Sequence, residues 1–501
     1  MAKNNTKTVA KNTLYMYLRM IFLMCISFYT SRILLATLGV EDYGIFSVVG
    51  SVAVSFSALK VLFSESIQRY LNVEKGKGNV RSQTLIFNMS LYIHVILSIL
   101  FIVVVEVAGI WLLNHKLNIP PERYEVALFV LQMTILSTAI RILSVVYDAV
   151  IISNEKMGVY AIVSIIDGLY QVVIISLLPY LPFDHLKVYS ASLVLLPVFL
   201  LTYQIFYCKR FEECKYQFCF DKSLFKEILS LSGWNFFGNI SFTLLHEGIN
   251  MLLNIYGGLA YNAARAISYK VKHAVAQINH NALAAVRPRV MQNGATLAPD
   301  DLMENIITVS RISLFSMLIP VVPVIVYCEQ LLGIWLKEVP DFAVIFTRLI
   351  LIGIVIRSLH EPLNIFYMTL AKIKRMMLIE MFIMLAFLGV IYISLKMDIP
   401  LSMVFVETAI MEIIIIISLL INAKLEIGIQ LVHYTKDVLL LLLEMSIISV
   451  IIISVCSRYL IPYSIFTTLL YTILLVLLIV GIVFLFLNKR ERDIIKKIVK
   501  K

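Results

Sequence analysis

Between residues 259 and 287 a polar row recurs every three or four positions: Asn262, Arg265, Tyr269, Lys272, His273, Gln277 and His280. Taken at 100° per residue, the row lies within about 80° of Asn262 on one helix face, with Lys270 at its edge. Ile267, Val271, Ala274, Val275 and Ile278 occupy the opposite face. The preceding stretch, 228–254, carries a similar row of Asn235, Asn239, Thr243, His246, Asn250 and Asn254, with Glu247 beside it. Arg19, Arg32, Arg141 and Arg357 stand singly in apolar surroundings, the last followed by His360, Glu361 and Pro362. Guanidinium forks hold carboxylates and phosphates bidentately, and an ammonium adds a compact positive charge. The chemistry these residues suit is the holding of an anion. No nucleophile–base pair and no metal-ligand spacing emerges; His246-Glu247 is followed by Asn250 where a zinc motif needs a second His. Neither a metal nor a cofactor is expected, and Glu247 and Asp167 are the acidic residues to test as a coupling-ion site, for H+ or Na+.

The elements that position these residues follow from composition. Of 501 residues 60% are hydrophobic and 15% are charged, against about a quarter charged in soluble domains, which excludes a soluble protein. Crossing the hydrocarbon core takes about 20 apolar residues. Fourteen such stretches occur, at 13–38, 43–68, 84–113, 124–150, 157–180, 187–208, 228–254, 259–287, 305–328, 341–370, 375–396, 400–423, 436–457 and 463–487. Residues 1–12 lack the apolar core and cleavage site of a signal peptide, so none is expected to be removed.

The net charge is +11, with 43 Lys and Arg against 32 Asp and Glu. Counted over alternate connections, 27 cations fall on the side that includes both termini and six on the other: Lys116, Arg123, Lys187, Lys337, Lys396 and Arg458. The positive side is cytoplasmic, so both termini are expected there. Nucleic acid is not an expected partner of so apolar a chain. The ten remaining cations, Arg19, Arg32, Lys60, Arg141, Arg265, Lys270, Lys272, Arg311, Arg348 and Arg357, lie inside the stretches. A charge at the bilayer centre costs at least ~2.5–3.5 kcal/mol, so these face a cavity or a partner unless they snorkel, as Arg32 and Arg311 can. Cys208, Cys214 and Cys219 match no zinc spacing and are expected to be free thiols.

An internal repeat organises the stretches. Gly39, Tyr43, Arg69 and Gly76 recur as Gly257, Tyr261, Arg287 and Gly294, all at an offset of 218. Gly109-Ile110-Trp111-Leu112 returns as Gly333-Ile334-Trp335-Leu336, and Arg141 and Lys156 answer Arg357 and Lys372 at an offset of 216. Six spans separate the copies, so the halves have parallel topology about an axis along the membrane normal. The expected fold is an all-α polytopic membrane protein of about 14 transmembrane helices: a six-helix lobe at 1–208, a cytoplasmic linker at 209–227, a second six-helix lobe at 228–423, and two extra helices with a basic tail at 424–501.

Several segments resemble a known family. Ala10-Lys11-Asn12-Thr13-Leu14-Tyr15, Tyr29-Thr30-Ser31-Arg32, Leu38-Gly39-Val40-Glu41-Asp42-Tyr43-Gly44 and Gln68-Arg69-Tyr70-Leu71 are similar to the first two helices of the Wzx-type polysaccharide (O-antigen) flippases. That family belongs to the MOP superfamily, with the multidrug and toxin extrusion (MATE) transporters and the lipid II flippase. Asn154-Glu155-Lys156-Met157, and Tyr261-Asn262-Ala263-Ala264-Arg265 through Arg287-Pro288, resemble it too; the likeness covers most of 1–425 and is vague over the last two helices. It implies a two-lobed transporter of the bacterial inner membrane that moves a polyprenyl-diphosphate-linked oligosaccharide to the outer leaflet by alternating access. A polysaccharide polymerase and a chain-length regulator are the partners it suggests. It also implies that Arg19, Arg32 and Arg265 hold the diphosphate or acidic sugars, whereas Arg141 and Arg357 rest on the repeat. Asn, His and Tyr groups such as His246, Asn250, Asn262, Tyr269 and His273 suit sugar hydroxyls, and Lys272 joins Arg265 on the anion. Two other readings are a MATE-like cation-coupled drug antiporter, which needs carboxylates where this chain has cations, and a membrane glycan polymerase or ligase, which needs a larger outer loop than the dozen residues near 114–123 and 329–340.

Overall fold

The computed structural model describes residues 2–54, 67–68, 70–154, 156–218, 220–294, 298–370, 372–428, 431–488 and 491–492; the side chains of 2–21, 52–54, 157, 160–161, 226–240, 281–282 and 284–294 are outside that description. Arg19, Asn235, Asn239, Lys60, Cys219 and the repeat pair Arg69 and Arg287 therefore fall outside the described residues or side chains. Fifteen α-helices longer than three residues and no strand occur among the described residues. In chain order they are α1 (Ala2–Val54), α2 (Val80–His115), α3 (Tyr124–Ser153), α4 (Met157–Leu177), α5 (His185–Cys208), α6 (Lys222–Gly257), α7 (Leu259–Gly294) and α8 (Pro299–Val326). The short α9 (Cys328–Trp335), α10 (Ala343–Arg357) and α11 (His360–Thr369) follow, then α12 (Ile373–Lys396), α13 (Met403–Ile427), α14 (Leu440–Tyr459) and α15 (Ile465–Phe486).

Eleven segments among the described residues are long and apolar enough to cross a membrane, which makes the chain a multi-pass membrane protein. They match the expected stretches except the second, the seventh and the eighth. Much of the second, 55–66, lies outside the described residues, and its beginning continues α1. The seventh and eighth form α6 and α7, helices of 36 residues each, or about 54 Å at 1.5 Å per residue. Their length suffices for a crossing; their rows of polar residues lower the hydropathy. On α2, Ile96, Ile99, Val103 and Val107 are all more than half exposed. This stripe at steps of three and four is the face a membrane helix gives to lipid.

Two compact units divide the chain, residues 1–263 and 264–501. The repeat in the sequence instead begins its second copy near 228. The two divisions answer different questions: contact density places α6 and the first residues of α7 with the first unit because buried amides tie them to α1 and to the segment after α2. In the first unit α3 packs along both α2 and α5, and α1 along α4. Ile45 and Val48 of α1, Phe101 and Val105 of α2, and Val130 and Leu131 of α3 share one core there, each exposed by 1% or less. In the second unit α13 packs along α10 and α12, and α8 along α10, α14 and α15.

One backbone conformation recurs in the first unit close to two positions that the sequence repeat pairs. Gly39, inside α1, has φ 74° and ψ 175°, and Gly258, between α6 and α7, has φ 84° and ψ −173°. Only glycine adopts that region readily, so the chain changes direction at matching places. The structural register is 219 at this turn, one more than the sequence alignment of Gly39 with Gly257. Gly44 lies against the backbone of Leu259 with no room for a Cβ, so the helix beyond the first of these turns meets the start of the helix beyond the second.

Pro197 and Pro362 each leave a carbonyl without its helical donor, and a serine on a neighbouring helix supplies one. Pro197 inside α5 has no N–H for the carbonyl four residues earlier. That carbonyl, of Leu193, accepts from the Ser137 hydroxyl of α3 at 2.7 Å. Pro362 likewise leaves the Ser358 carbonyl without its helical donor, the tenth span splits into α10 and α11, and the Ser313 hydroxyl of α8 donates to Ser358 at 2.6 Å. Irregular backbone at membrane depth needs such partners.

Arg311, which the sequence leaves free to snorkel, is 8% exposed. Its Nε donates to Glu491 at 2.5 Å, while Nη1 and Nη2 donate to the carbonyls of Asp437 and Phe486 at 3.0 and 2.7 Å. It fastens the last two helices to α8.

Candidate functional site

In the second unit, α7 gathers cations around one aromatic ring. The Arg265 guanidinium stands 4.1 Å from the Tyr269 ring centroid and the Lys272 ammonium 4.5 Å from it. Spacings of three and four along a helix bring the three side chains together. A cation over an aromatic face is stabilised by about 0.5–2 kcal/mol without being neutralised. His273 stacks edge-on against Tyr269, with ring centroids 6.1 Å apart, and is exposed. The Ser268 hydroxyl beneath this row donates to the Ala343 carbonyl at 3.2 Å and accepts from Thr347 at 3.0 Å, locking α7 to α10.

The broken tenth span contributes to the same unit. Arg357 ends α10 and donates from Nη1 to Glu412 Oε1 of α13 at 2.5 Å. Arg357 at a C-terminus and Glu361 in the first turn of α11 both suit the helix dipoles. His360 opens α11 and pairs through Nε2 with Glu380 Oε1 of α12 at 2.7 Å. Arg265, Arg357 and Glu412 all lie close enough to Lys272 for their charges to act on it. The second unit thus brings together Arg265, Tyr269, Lys272, His273 and Arg357, each singled out by sequence. It pairs Arg357 with Glu412 and His360 with Glu380, which no spacing could reveal because the two carboxylates arrive from other helices.

The first unit holds the repeat-related Arg141. Its Nη2 lies 3.4 Å from Asp167 Oδ1 of α4, with the two side chains 36% and 27% exposed. Arg141 and Arg357 therefore both face an acid, but Asp167 comes from the next helix and Glu412 from α13. A pocket of about 170 Å³ opens beside the Arg141–Asp167 pair. Ser144, Ser164, Asp148 and Gln204 are among its lining residues. Gln204 donates to Asp148 at 2.7 Å, and both are nearly fully buried. Leu23, Val163, Pro197 and Leu200 supply the apolar remainder. Single polar residues in apolar spans gave no periodic signal for this pocket.

Asn250, Asn254 and Asn262 occupy a different setting. Asn262 donates to the Asn250 carbonyl and side chain at 2.7 and 3.0 Å, and Asn254 donates to Asn262 at 3.0 Å. Asn250 reaches the Ser47 carbonyl at 3.1 Å, and Asn254 accepts from the Asn118 amide at 2.7 Å. All three are exposed by 1% or less. Their amides close the Gly258 turn and tie it to α1 and to the segment after α2. His246 stacks edge-on against Phe242 at 4.2 Å, Glu247 is half-buried one residue on, and Arg32 is exposed on α1.

Outside the spans, Asp184 caps α5 and accepts from Arg123 at 2.6 Å, while Arg123 also grips Asp42. Burial works against the charged Asp184 carboxylate, but the Arg123 hydrogen bond and charge together with the backbone N–H groups of Lys187 and Leu186 outweigh it and hold the carboxyl below its ordinary range. Cys214 is pushed up by its hydrogen bond with Cys208 and by burial, as for an inert buried thiol.

No protein-family model matches the sequence. No curated protein matches it in sequence either. Solved structures do match it in fold. The chain is similar to the lipid II flippase MurJ in an inward-closed conformation, with a TM-score of 0.73 and 15% identity over 96% of this chain and 100% of that one. It is also similar to an inward-facing multidrug resistance MATE family transporter of the MOP superfamily, with a TM-score of 0.63 and 14% identity over 83% of this chain and 98% of that one. A third is a MOP superfamily transporter from Pyrococcus furiosus whose binding pocket is described as of reverse polarity, with a TM-score of 0.56 and 14% identity over 83% and 93%. At these identities the likeness is one of fold: the chain has the all-helical architecture these proteins share.

Proposed function

We propose that the chain is a flippase that moves a polyprenyl-diphosphate-linked oligosaccharide, an O-antigen or capsule repeat unit, from the cytoplasmic to the outer leaflet of a bacterial inner membrane by alternating access. The observation that carries this reading is the pair of cations, Arg265 and Lys272, held on one tyrosine ring with Arg357 nearby. A lipid diphosphate concentrates negative charge that has to cross a region of low dielectric, and an Arg fork beside an ammonium is suited to hold it. Arg19 and Arg32 of α1 and the half-buried His246 are assigned to the same substrate, while Asn250 and Asn262 hold the turn that positions α7. The fold shared with a lipid II flippase over 96% of the chain supports a lipid-linked substrate. On this reading the protein is a transporter rather than an enzyme, both termini are cytoplasmic, Asp167 or Glu247 takes a coupling H+ or Na+, and a polymerase and chain-length regulator act downstream.

The fold of the MATE transporters would also serve a cation-coupled drug antiporter. A cationic drug needs open carboxylates, and in the second unit Glu412 and Glu380 are engaged by Arg357 and His360. A glycan polymerase or ligase needs a catalytic set, and no nucleophile–base pair occurs among the described residues of this site. Replacing Arg265 by Ala in cells is the test: the protein should accumulate folded in the membrane while surface polysaccharide disappears. Normal polysaccharide on those cells would contradict the reading.

A further inference from the structure

We infer that the pocket lined by α1, α3, α4 and α5 in the first unit is a subsite for one uncharged or amino sugar ring; the inference rests on the glycan reading and adds to it a place and a sugar class. Size argues first. A single water needs about 10–15 Å³ of such space, so 170 Å³ holds on the order of ten waters, far more than a bare ion fills. Chemistry argues next. Ser144, whose hydroxyl donates to the Arg141 carbonyl at 2.8 Å, keeps its oxygen as an acceptor, Asp167 accepts and Arg141 donates, which matches the alternating donors and acceptors of a sugar's hydroxyls. Leu200 and Pro197 give the apolar wall that a sugar's C–H face requires.

The Arg141–Asp167 pair is also unlike the other ion pairs of the core. Arg357–Glu412 and Arg311–Glu491 close at 2.5 Å with the carboxylate 8% and 1% exposed. Arg141–Asp167 stands at 3.4 Å with both side chains more than a quarter exposed to the pocket's space, so each retains hydrogen-bonding capacity for a ligand. Two aspartates against one arginine give the pocket a formal charge of −1, which disfavours a uronic acid and suits a neutral or amino sugar.

Saturation-transfer NMR tests this with the full chain in lipid nanodiscs and galactose, rhamnose, N-acetylglucosamine and glucuronic acid as probes. At least one of the first three should receive transfer and glucuronic acid should not. The signal should be lost in Ser164→Phe, which fills the pocket, and in Ser144→Leu, each checked by its melting curve for a folded state. Absence of transfer to every neutral sugar, or transfer that survives in both folded variants, would overturn the inference. Stabilisation by NaCl over KCl that disappears in Asp167→Asn, without any sugar signal, would overturn it and leave Asp167 to the coupling ion alone. A parallel titration of the wild type with undecaprenyl diphosphate separates the two readings: no binding there alongside a pocket-dependent sugar signal would sink the lipid carrier and leave the subsite standing.

Discussion

Arg357 donates to Glu412 at 2.5 Å, from the end of a helix broken within a span to a carboxylate that is 8% exposed. Removing one partner of a buried pair leaves an uncompensated charge, at a cost of about 3–5 kcal/mol, whereas replacing both by apolar groups can be neutral. Glu412→Ala should therefore lower the melting temperature of the purified protein sharply, and Arg357→Met with Glu412→Leu should restore much of it. Equal melting of Glu412→Ala and the wild type would show that the pair is not closed as described.

The asparagine ladder predicts a different phenotype from the cations on α7. Asn262→Ala strands the Asn254 side-chain amide and the Asn250 side-chain oxygen in a dry turn, at about 1–3 kcal/mol for each buried group left unsatisfied. The variant should reach the membrane in reduced amount and melt early. Arg265→Ala should melt near the wild type yet bind less lipid diphosphate. Fluorescence-detected size-exclusion chromatography after heating compares the two, and a normal melt for Asn262→Ala would refute the structural role.

Asp184 supplies a pH signature. Its carboxyl is held below the ordinary value of 3.8, so its contribution is present above the unfolded value and is lost as pH falls through the folded one. Asp184→Asn should melt below the wild type at pH 7, and the gap should close below about pH 4. A gap that persists unchanged at low pH would rule out the charged bond to Arg123 as its source.

What the sequence conveyed followed from periodicity and from rare residues. The row on α7 was legible because 3.6-residue spacing marks a face, and Arg141 and Arg357 because a charge in an apolar span demands a partner. The partners themselves were not legible. Glu412, Glu380 and the pocket residues Asp148 and Gln204 sit alone on separate helices, and only tertiary packing brings them to their neighbours. Span counting met a similar limit: the polar rows that identify α6 and α7 also lower their hydropathy below that of the eleven apolar segments. Asn250 and Asn262 share a polar face with the cations, yet periodicity does not distinguish a residue facing a ligand from one closing a turn.

The central claim is that Arg265 and Lys272, on the ring of Tyr269, hold a lipid diphosphate. The most direct measurement is the binding of undecaprenyl diphosphate to the purified chain in nanodiscs, wild type against Arg265→Ala and Lys272→Ala, at two salt concentrations. Charge-assisted bonds contribute about 1.5–3 kcal/mol each, so either variant should bind at least roughly ten-fold more weakly and show a shallower salt dependence. Wild-type affinity in both variants, with both folded, would contradict the account.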